Sequence, residues 1–373
     1  MRTGIEVEFW VVDDRGRLCD GRDLVDAHER IDPEFVGPLL EVRTEPCETE
    51  YALRRDLQET LRAALRRADR VGKRLVPLGT PLTRADPPAT GERGRLFEEI
   101  YGDGIESAKN CAGTHVHFER GNVRRQLTLL TALDPALALL SSSPYYCGRR
   151  EMDSSRAHAY RTECGADFEE YCGLWSYPES VAEWERRVED AFERFESLAA
   201  DRGVPSETVR EHFVAEDAVL NPVRLRECQP TVEWRAPDST LPSQVVRLAT
   251  DVGRLVEQTD SKRIELADPG REGVAADCLR VPDFGDLRDV SGEAIRWGLD
   301  AGRVRGYLDR FGFDVADYRP ISGQLQGPGR LRESEARKIR LEYAERLRAD
   351  VASLTAVPFD EPVERCREQY VFA

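Results

Sequence analysis

Four short segments place polar side chains at every second position. They are Glu6 and Glu8 in Gly4-Ile5-Glu6-Val7-Glu8-Phe9, and Glu41, Arg43 and Glu45 in Leu40-Glu41-Val42-Arg43-Thr44-Glu45. Further along come His115 and His117 in Gly113-Thr114-His115-Val116-His117-Phe118, and Thr231, Glu233 and Arg235 in Thr231-Val232-Glu233-Trp234-Arg235. On an extended strand, side chains two residues apart point to one face. Each segment therefore offers carboxylate, imidazole or guanidinium groups on one face and apolar groups on the other. A single acidic pair of this kind is more often a solvated sheet face than a site. Four together are different. If the strands share a sheet, their carboxylates crowd one surface and repel one another. Divalent cations with oxygen ligands relieve that repulsion, and carboxylates with imidazole suit Mg2+ or Mn2+ better than Zn2+. Neither GxxxxGK[ST] nor GxGxxG occurs. A bound nucleotide would therefore be held through metal and arginine, not by a phosphate-cradling helix N-terminus.

The elements that must position these residues follow from periodicity. Residues 2–13, 39–45, 75–78, 111–119 and 230–236 read as strands. Leu53, Leu57, Leu61, Ala64, Ala68 and Val71 recur at spacings of three and four, which predicts an amphipathic helix ending before Gly72. A buried helix is expected from Asn122 to Leu140, an irregular stretch to Tyr177, and helices over 179–202, 206–214 and 243–266. Two loops, Asp268–Glu293 and Tyr318–Arg330, precede a last helix carrying Ile339, Tyr343, Leu347, Val351 and Leu354 on one stripe. Strands scattered among helices, alternating and not continuously apolar, predict an α+β fold: an antiparallel, curved sheet with helices packed on one face. The whole chain, 1–373, reads as one catalytic domain with a helical C-terminal part at about 286–357.

Composition sets the outer bounds. The 54 Lys and Arg against 70 Asp and Glu leave a net charge of −16, which argues against nucleic acid or an anionic membrane as partner. Only four of the basic residues are lysine (Lys73, Lys109, Lys262 and Lys338). Acid-rich, lysine-poor composition predicts a halophilic protein, since concentrated salt screens a surplus of surface carboxylates. No secretory leader is visible and the nine cysteines include no CxxC pair, so a cytoplasmic location is expected, with no disulfide framework. Cys111 lies about 13 Å along a strand from His115, too far for a Cys–His nucleophile pair. His158, Trp175 and Tyr177 read as ordinary loop or core residues, Lys109 as a surface residue, and Ile321–Arg330 as a lid or a simple connection.

In order and spacing, GIEVEF, LLEVRT, GTHVHF, LDPALALLSSSPYYCG with Tyr160-Arg161, and TVEWRAPD resemble the glutamate–cysteine ligase / carboxylate–amine ligase family, whose fold is related to glutamine synthetase. The resemblance runs from residue 4 to about 255. It implies ATP-dependent ligation of the γ-carboxylate of glutamate to cysteine through γ-glutamyl phosphate, giving γ-glutamylcysteine, ADP and phosphate. It also implies ATP and Mg2+ or Mn2+ as cofactors. Under it, Glu6, Glu8, Glu41, His115 and Glu233 would be metal ligands, Glu233 and Arg235 the catalytic pair, and Tyr160 and Arg161 the holders of substrate carboxylate. Glu45 and His117 remain as alternative ligand or base. Ligation of glutamate to another amine and metal-dependent amide hydrolysis are the competing readings.

The charge balance makes a prediction of its own. The melting temperature is expected to rise between about 0.1 and 3 M KCl as self-repulsion is screened. An unchanged melting temperature across that range would contradict the halophilic reading.

Overall fold

A computed structural model describes residues 1–85, 87–218 and 220–355. Seven strands form the main sheet: β1 (Thr3–Asp13), β2 (Ile31–Pro33), β3 (Leu39–Arg43), β4 (Lys73–Val76), β5 (Thr114–Glu119), β6 (Val223–Arg226) and β7 (Thr231–Trp234). Their order is β2-β3-β1-β5-β7-β6, with β4 paired to the far end of β1. Every pairing in this sheet is antiparallel. The four polar segments are consecutive neighbours, β3-β1-β5-β7.

The back of this sheet is apolar and packs against helices, as the alternation predicts, while other helices stand on the front around the cleft. Ile5, Val7, Phe9, Leu40, Val42, Val116, Phe118, Val232 and Trp234 are buried in one core. The helices α1 (Glu50–Arg70), α2 (Val123–Ala132), α3 (Ser155–Thr162), α4 (Val181–Asp201), α5 (Pro242–Glu257), α6 (Phe284–Trp297) and α7 (Glu333–Ser353) account for most of the remaining regular structure. Thr49 caps α1 by accepting from the Ala52 amide, and the predicted stripe Leu53, Leu57, Leu61, Ala64 and Ala68 is buried. α5 starts with Pro242 and buries Val245, Leu248, Ala249 and Val252 in the same core.

The front of β1 changes character along its length. Glu6 and Glu8 line a cleft, whereas Trp10 and Val12, on the same face, are buried with Val76, Leu78 and Tyr343 of α7. The indole of Trp10 donates to the Leu78 carbonyl. A second cluster, rich in Phe and Tyr, joins the helix Gly91–Tyr101 to α4 and stands beside the cleft.

Four expectations are corrected. The helix expected over 122–140 divides at Leu133 into α2 and a 3-10 segment, Asp134–Leu140. Pro135 lacks an amide hydrogen and its ring clashes with the carbonyl four residues earlier. The helix expected to reach Leu266 stops at Glu257, and Arg263–Ala267 is a strand. That strand pairs in parallel with Cys278–Pro282, which pairs with Gly273–Val274, inside a region expected to be loop. Tyr318–Arg330 contains a helical turn, Ile321–Gln324, and is tied down: Ser322 donates to the Ser141 and Asp153 carbonyls and Arg150 to those of Leu325 and Gly329. It is not a free lid. Residues 356 and 357, at the end of the expected helical part, lie outside the described residues. Among the described residues, no helix is long and apolar enough to cross a membrane.

Phe118 is fully buried on the central strand β5. Phe118→Ala is expected to lower unfolding stability by roughly 3–5 kcal/mol, read by urea denaturation. A loss below about 1 kcal/mol would show that this core is not where the sheet is held.

Candidate active site

Strand register brings the polar groups together. Glu6 faces Arg43 across β1–β3 and His115 across β1–β5, and Glu8 faces Glu41. On the other side of β5, His117 faces Glu233 of β7. The His115 Nδ1 lies 3.4 Å from Glu6 and 3.6 Å from Glu233, and its Nε2 lies 3.7 Å from Glu8. The His117 Nε2 lies 3.2 Å from Glu6. The backbone amide of Gly113 donates to Glu8 at 2.6 Å. Glu6, Glu8, Glu41, His115, His117, Glu233, Arg235 and Tyr160 all line one cleft of about 720 Å3, a size suited to small molecules.

The electrostatics divide the cleft in two. At one end, Glu233 is buried and accepts from Arg235 at 2.8 Å. Burial alone would raise its pKa, but Arg235, His117, Arg224 and His115 together hold it well below the usual carboxylate range. The Arg235 guanidinium is in turn held charged by Glu233, against its burial. Arg224 is lowered to about 10, by burial and then by Arg235, and stays cationic at neutral pH. Burial also opposes the charge on Glu6, yet the imidazoles of His115 and His117 more than reverse that and lower its pKa. At the other end the balance tips the opposite way. Glu34 is pushed up to about 8 by burial and the charge of Glu8. Burial and the charges of Glu6, Glu34 and Glu8 push Glu41 well above the usual range, with Arg43 only a partial offset. Burial and Arg235 lower His115, leaving a neutral imidazole with a free electron pair for a cation. Burial also acts to lower His117, but Glu6 and Glu233 outweigh it and the net shift is upward.

Two expected residues are not in the cleft. Arg161 forms a two-pronged pair with Asp134, at 2.9 and 2.7 Å, and Asp134 is fully buried. Helix phase explains it: on α3, Arg156 and Tyr160 are four apart and share the face toward the cleft, and Arg161 is turned away. Glu45 lies beyond the end of β3, is mostly exposed, and sits 3.6 Å from Arg30. Lys109 is buried and not on the surface, paired with Glu98 and Glu106. Cys111 is buried, and burial pushes its thiol up, away from nucleophile chemistry. Trp175 packs on Trp184 and Tyr177 on Phe284.

Cleft residues that escape sequence reasoning include Glu34, Arg156, Arg224 and Arg226. Arg224 and Arg226 carry the same every-second-residue signature, on β6, and could have been found by it. Arg156 and Tyr160 show helical four-residue spacing. Glu34, just past β2, carries no pattern. The segments are gathered by Asp238, a buried carboxylate that accepts from the amide and hydroxyl of Ser142 and the hydroxyl of Ser154. Gly79 packs against it so closely that a Cβ there would lie 2.6 Å from the Asp238 carboxyl carbon.

Residues 2–275 match the family described as glutamate-cysteine ligase family 2. A curated relative, "Putative glutamate--cysteine ligase 2-1" of Paenarthrobacter aurescens (strain TC1), is 25% identical over 265 residues, which cover 69% of this chain and 63% of the relative. The chain thus spans less than two thirds of that relative's length. Among solved structures, a bifunctional glutathione synthetase from Pasteurella multocida has a TM-score of 0.60 at 13% identity, covering 94% of this chain and 52% of that one. That likeness extends to the fold.

The donor set fits a divalent cation. Three groups have ligand atoms within 4.8 Å of one another: Glu6, Glu41 and His115; Glu6, His117 and Glu233; Glu8, Glu34 and Glu41. The Oε2 of buried Glu233 has no hydrogen-bond partner. Oxygen ligands with one imidazole match Mg2+ or Mn2+. The raised values of Glu34 and Glu41 fix a sign. Between the usual carboxylate range and about pH 8, the folded chain holds more protons at these sites than the unfolded chain, so stability falls as pH rises through that window. Glu6 and Glu233, both lowered, act only in acid, where their contribution is lost as pH falls below the usual range. Mg2+ competes with those protons. Its stabilising shift in melting temperature is expected to be clearly larger at pH 8.5 than at pH 6. Equal shifts at the two pH values would remove the cation from this end of the cleft.

Proposed function

The chain belongs to glutamate–cysteine ligase family 2, and from that premise we propose that it joins the γ-carboxylate of L-glutamate to the amino group of L-cysteine at the expense of ATP. The products are γ-glutamylcysteine, ADP and phosphate. The observation that carries this reading is the shared face of β3, β1, β5 and β7: carboxylates and imidazoles for cations, bordered by the guanidinium groups of Arg235, Arg224 and Arg226. Glu6, Glu8, Glu41, His115 and Glu233 would hold the cations, joined by Glu34 and His117.

The reaction has two steps. The γ-carboxylate attacks the γ-phosphorus of ATP and ADP departs, leaving γ-glutamyl phosphate. The amine nitrogen then attacks the activated carbonyl carbon, phosphate departs, and the nitrogen loses a proton. Bound Mg2+ or Mn2+ supplies charge neutralisation between the phosphate and the approaching carboxylate. Arg235, fixed by Glu233, presents a planar fork to equatorial phosphate oxygens, and Arg224 adds a second permanent charge. Burial raises the Tyr160 phenol to about 12, so it stays protonated and keeps a hydrogen to donate to a substrate. The work of a single catalytic domain on ATP and glutamate belongs in the cytoplasm, with no nucleic acid or membrane partner.

The purified protein is to be incubated in molar KCl with Mg2+, ATP and glutamate, with and without cysteine, and phosphate and thiol products measured. Cysteine-dependent phosphate release with γ-glutamylcysteine as product is the expected result. Release only with another amine would move the reading to a different carboxylate–amine ligase, and amide hydrolysis without ATP turnover would overturn it. Arg235→Ala and Glu233→Gln are each expected to lower kcat by about 100-fold or more in folded protein. Near-normal turnover of Arg235→Ala would remove that residue from the mechanism.

A further inference from the structure

Arg156 is a buried guanidinium, 6% exposed, that lines the cleft. Its terminal nitrogens donate to main-chain carbonyls: Nη1 to Ala236 at 3.1 Å and Arg235 at 3.4 Å, and Nη2 to Arg235 at 3.5 Å. Its Nε has no hydrogen-bond partner. Among the described residues, no carboxylate stands within ion-pair distance of it. The field of Asp238 reaches it, but that carboxylate is engaged by Ser142 and Ser154. Buried Arg is rare unless paired, because an uncompensated charge in a low-dielectric site is costly. The guanidinium therefore keeps a charge and a donor that a bound anion can engage.

The surroundings are shaped for this guanidinium. The Tyr160 ring lies under it, 5.5 Å from Cζ to the ring centre. Gly113 also stands against it, where a Cβ would fall 2.3 Å from Nη2. A glycine at the entry to β5 is therefore required for Arg156 to reach the floor. Arg235, Arg224 and Arg226 line the same cleft, and Glu233 lies within 4 Å of Arg235 and Arg226. Arg156 keeps an unpartnered Nε and offers one unit of charge with no carboxylate in contact. That matches a carboxylate, whose two oxygens take a planar fork.

We infer that Arg156 anchors the α-carboxylate of the amino-acid substrate, the role expected of Arg161. This rests on the ligase reading above and adds the residue that selects an amino acid over a plain amine-bearing acid. The probe that isolates it is 4-aminobutyrate, which is glutamate without the α-carboxylate.

Binding of L-glutamate and of 4-aminobutyrate is to be measured by calorimetry on wild-type protein and on Arg156→Gln, Arg156→Lys and Gly113→Ala, alongside KM, kcat and ATP affinity. Wild type is expected to favour glutamate. Arg156→Gln should weaken glutamate about tenfold or more while leaving 4-aminobutyrate within about twofold. Arg156→Lys should recover part of the glutamate affinity through charge alone. Gly113→Ala should erode the same preference by displacing the guanidinium, and it keeps the claim testable if Arg156→Gln does not fold. Equal weakening of both ligands, or loss confined to kcat and ATP affinity, would show that Arg156 only props up Arg235 and would overturn the inference. Unchanged glutamate affinity in an active Arg156→Gln would do the same with the ligase reading intact. A wild type that neither binds glutamate nor consumes ATP with it would sink both.

Discussion

Repulsion among carboxylates is the constraint on which this fold turns. Burial of Ile5, Val7 and Phe9 behind β1 fixes which way Glu6 and Glu8 point, and the same burial behind β3, β5 and β7 turns Glu41, His115, His117 and Glu233 onto that surface. A slip of one residue at any of these pairings would send the apolar set to the cleft and the charges into the core. The hydrophobic effect thus holds together groups that would otherwise separate. The imidazoles and guanidiniums settle part of the charge near Glu6 and Glu233 and leave an excess at Glu8, Glu34 and Glu41.

The front of the sheet shows how the excess is kept local. Beyond Glu8 the same face of β1 continues as Trp10 and Val12 under α7, so the polar floor has a sharp apolar border. On the remaining side, aromatic packing between the helix Gly91–Tyr101 and α4 builds a wall of low polarity beside the charges. Water-poor borders strengthen every electrostatic interaction inside them. The surface acids that make the chain so negative lie in high dielectric and act through solubility and salt-screened self-repulsion, which separates them physically from the few that line the cleft.

Much of this was legible in the sequence because period-two alternation is both a structural and a chemical signal. β1, β3, β5 and β7 announce themselves by polar pairs, and the buried stripe of α1 by its spacing. Pairing partners are not encoded locally, so nothing in LLEVRT says that Glu41 meets Glu8. Arg161 was misplaced because an irregular reading of 141–177 carried no helix phase; with α3 known, Arg156 and Tyr160 fall on one face. The small sheet at 263–282 was missed because its runs of two to five residues are too short to show a period. Lys109 depended on Glu98, eleven positions away and on another helix, for its burial.

The knot at Asp238 has a consequence for how such a chain can change over time. Residues from Gly79, Ser142 and Ser154 converge on one carboxylate at the end of β7, so the geometry of the cleft is set at a few fixed junctions. The stretches between junctions then carry little positional information and behave as interchangeable parts. Insertions and deletions there leave the reacting groups where they are, because loop length costs little free energy once the ends are fixed. Variety in the walls can accumulate around a fixed floor, and the shape of the cleft can be altered by remodelling a connection without touching a single charged residue beneath it.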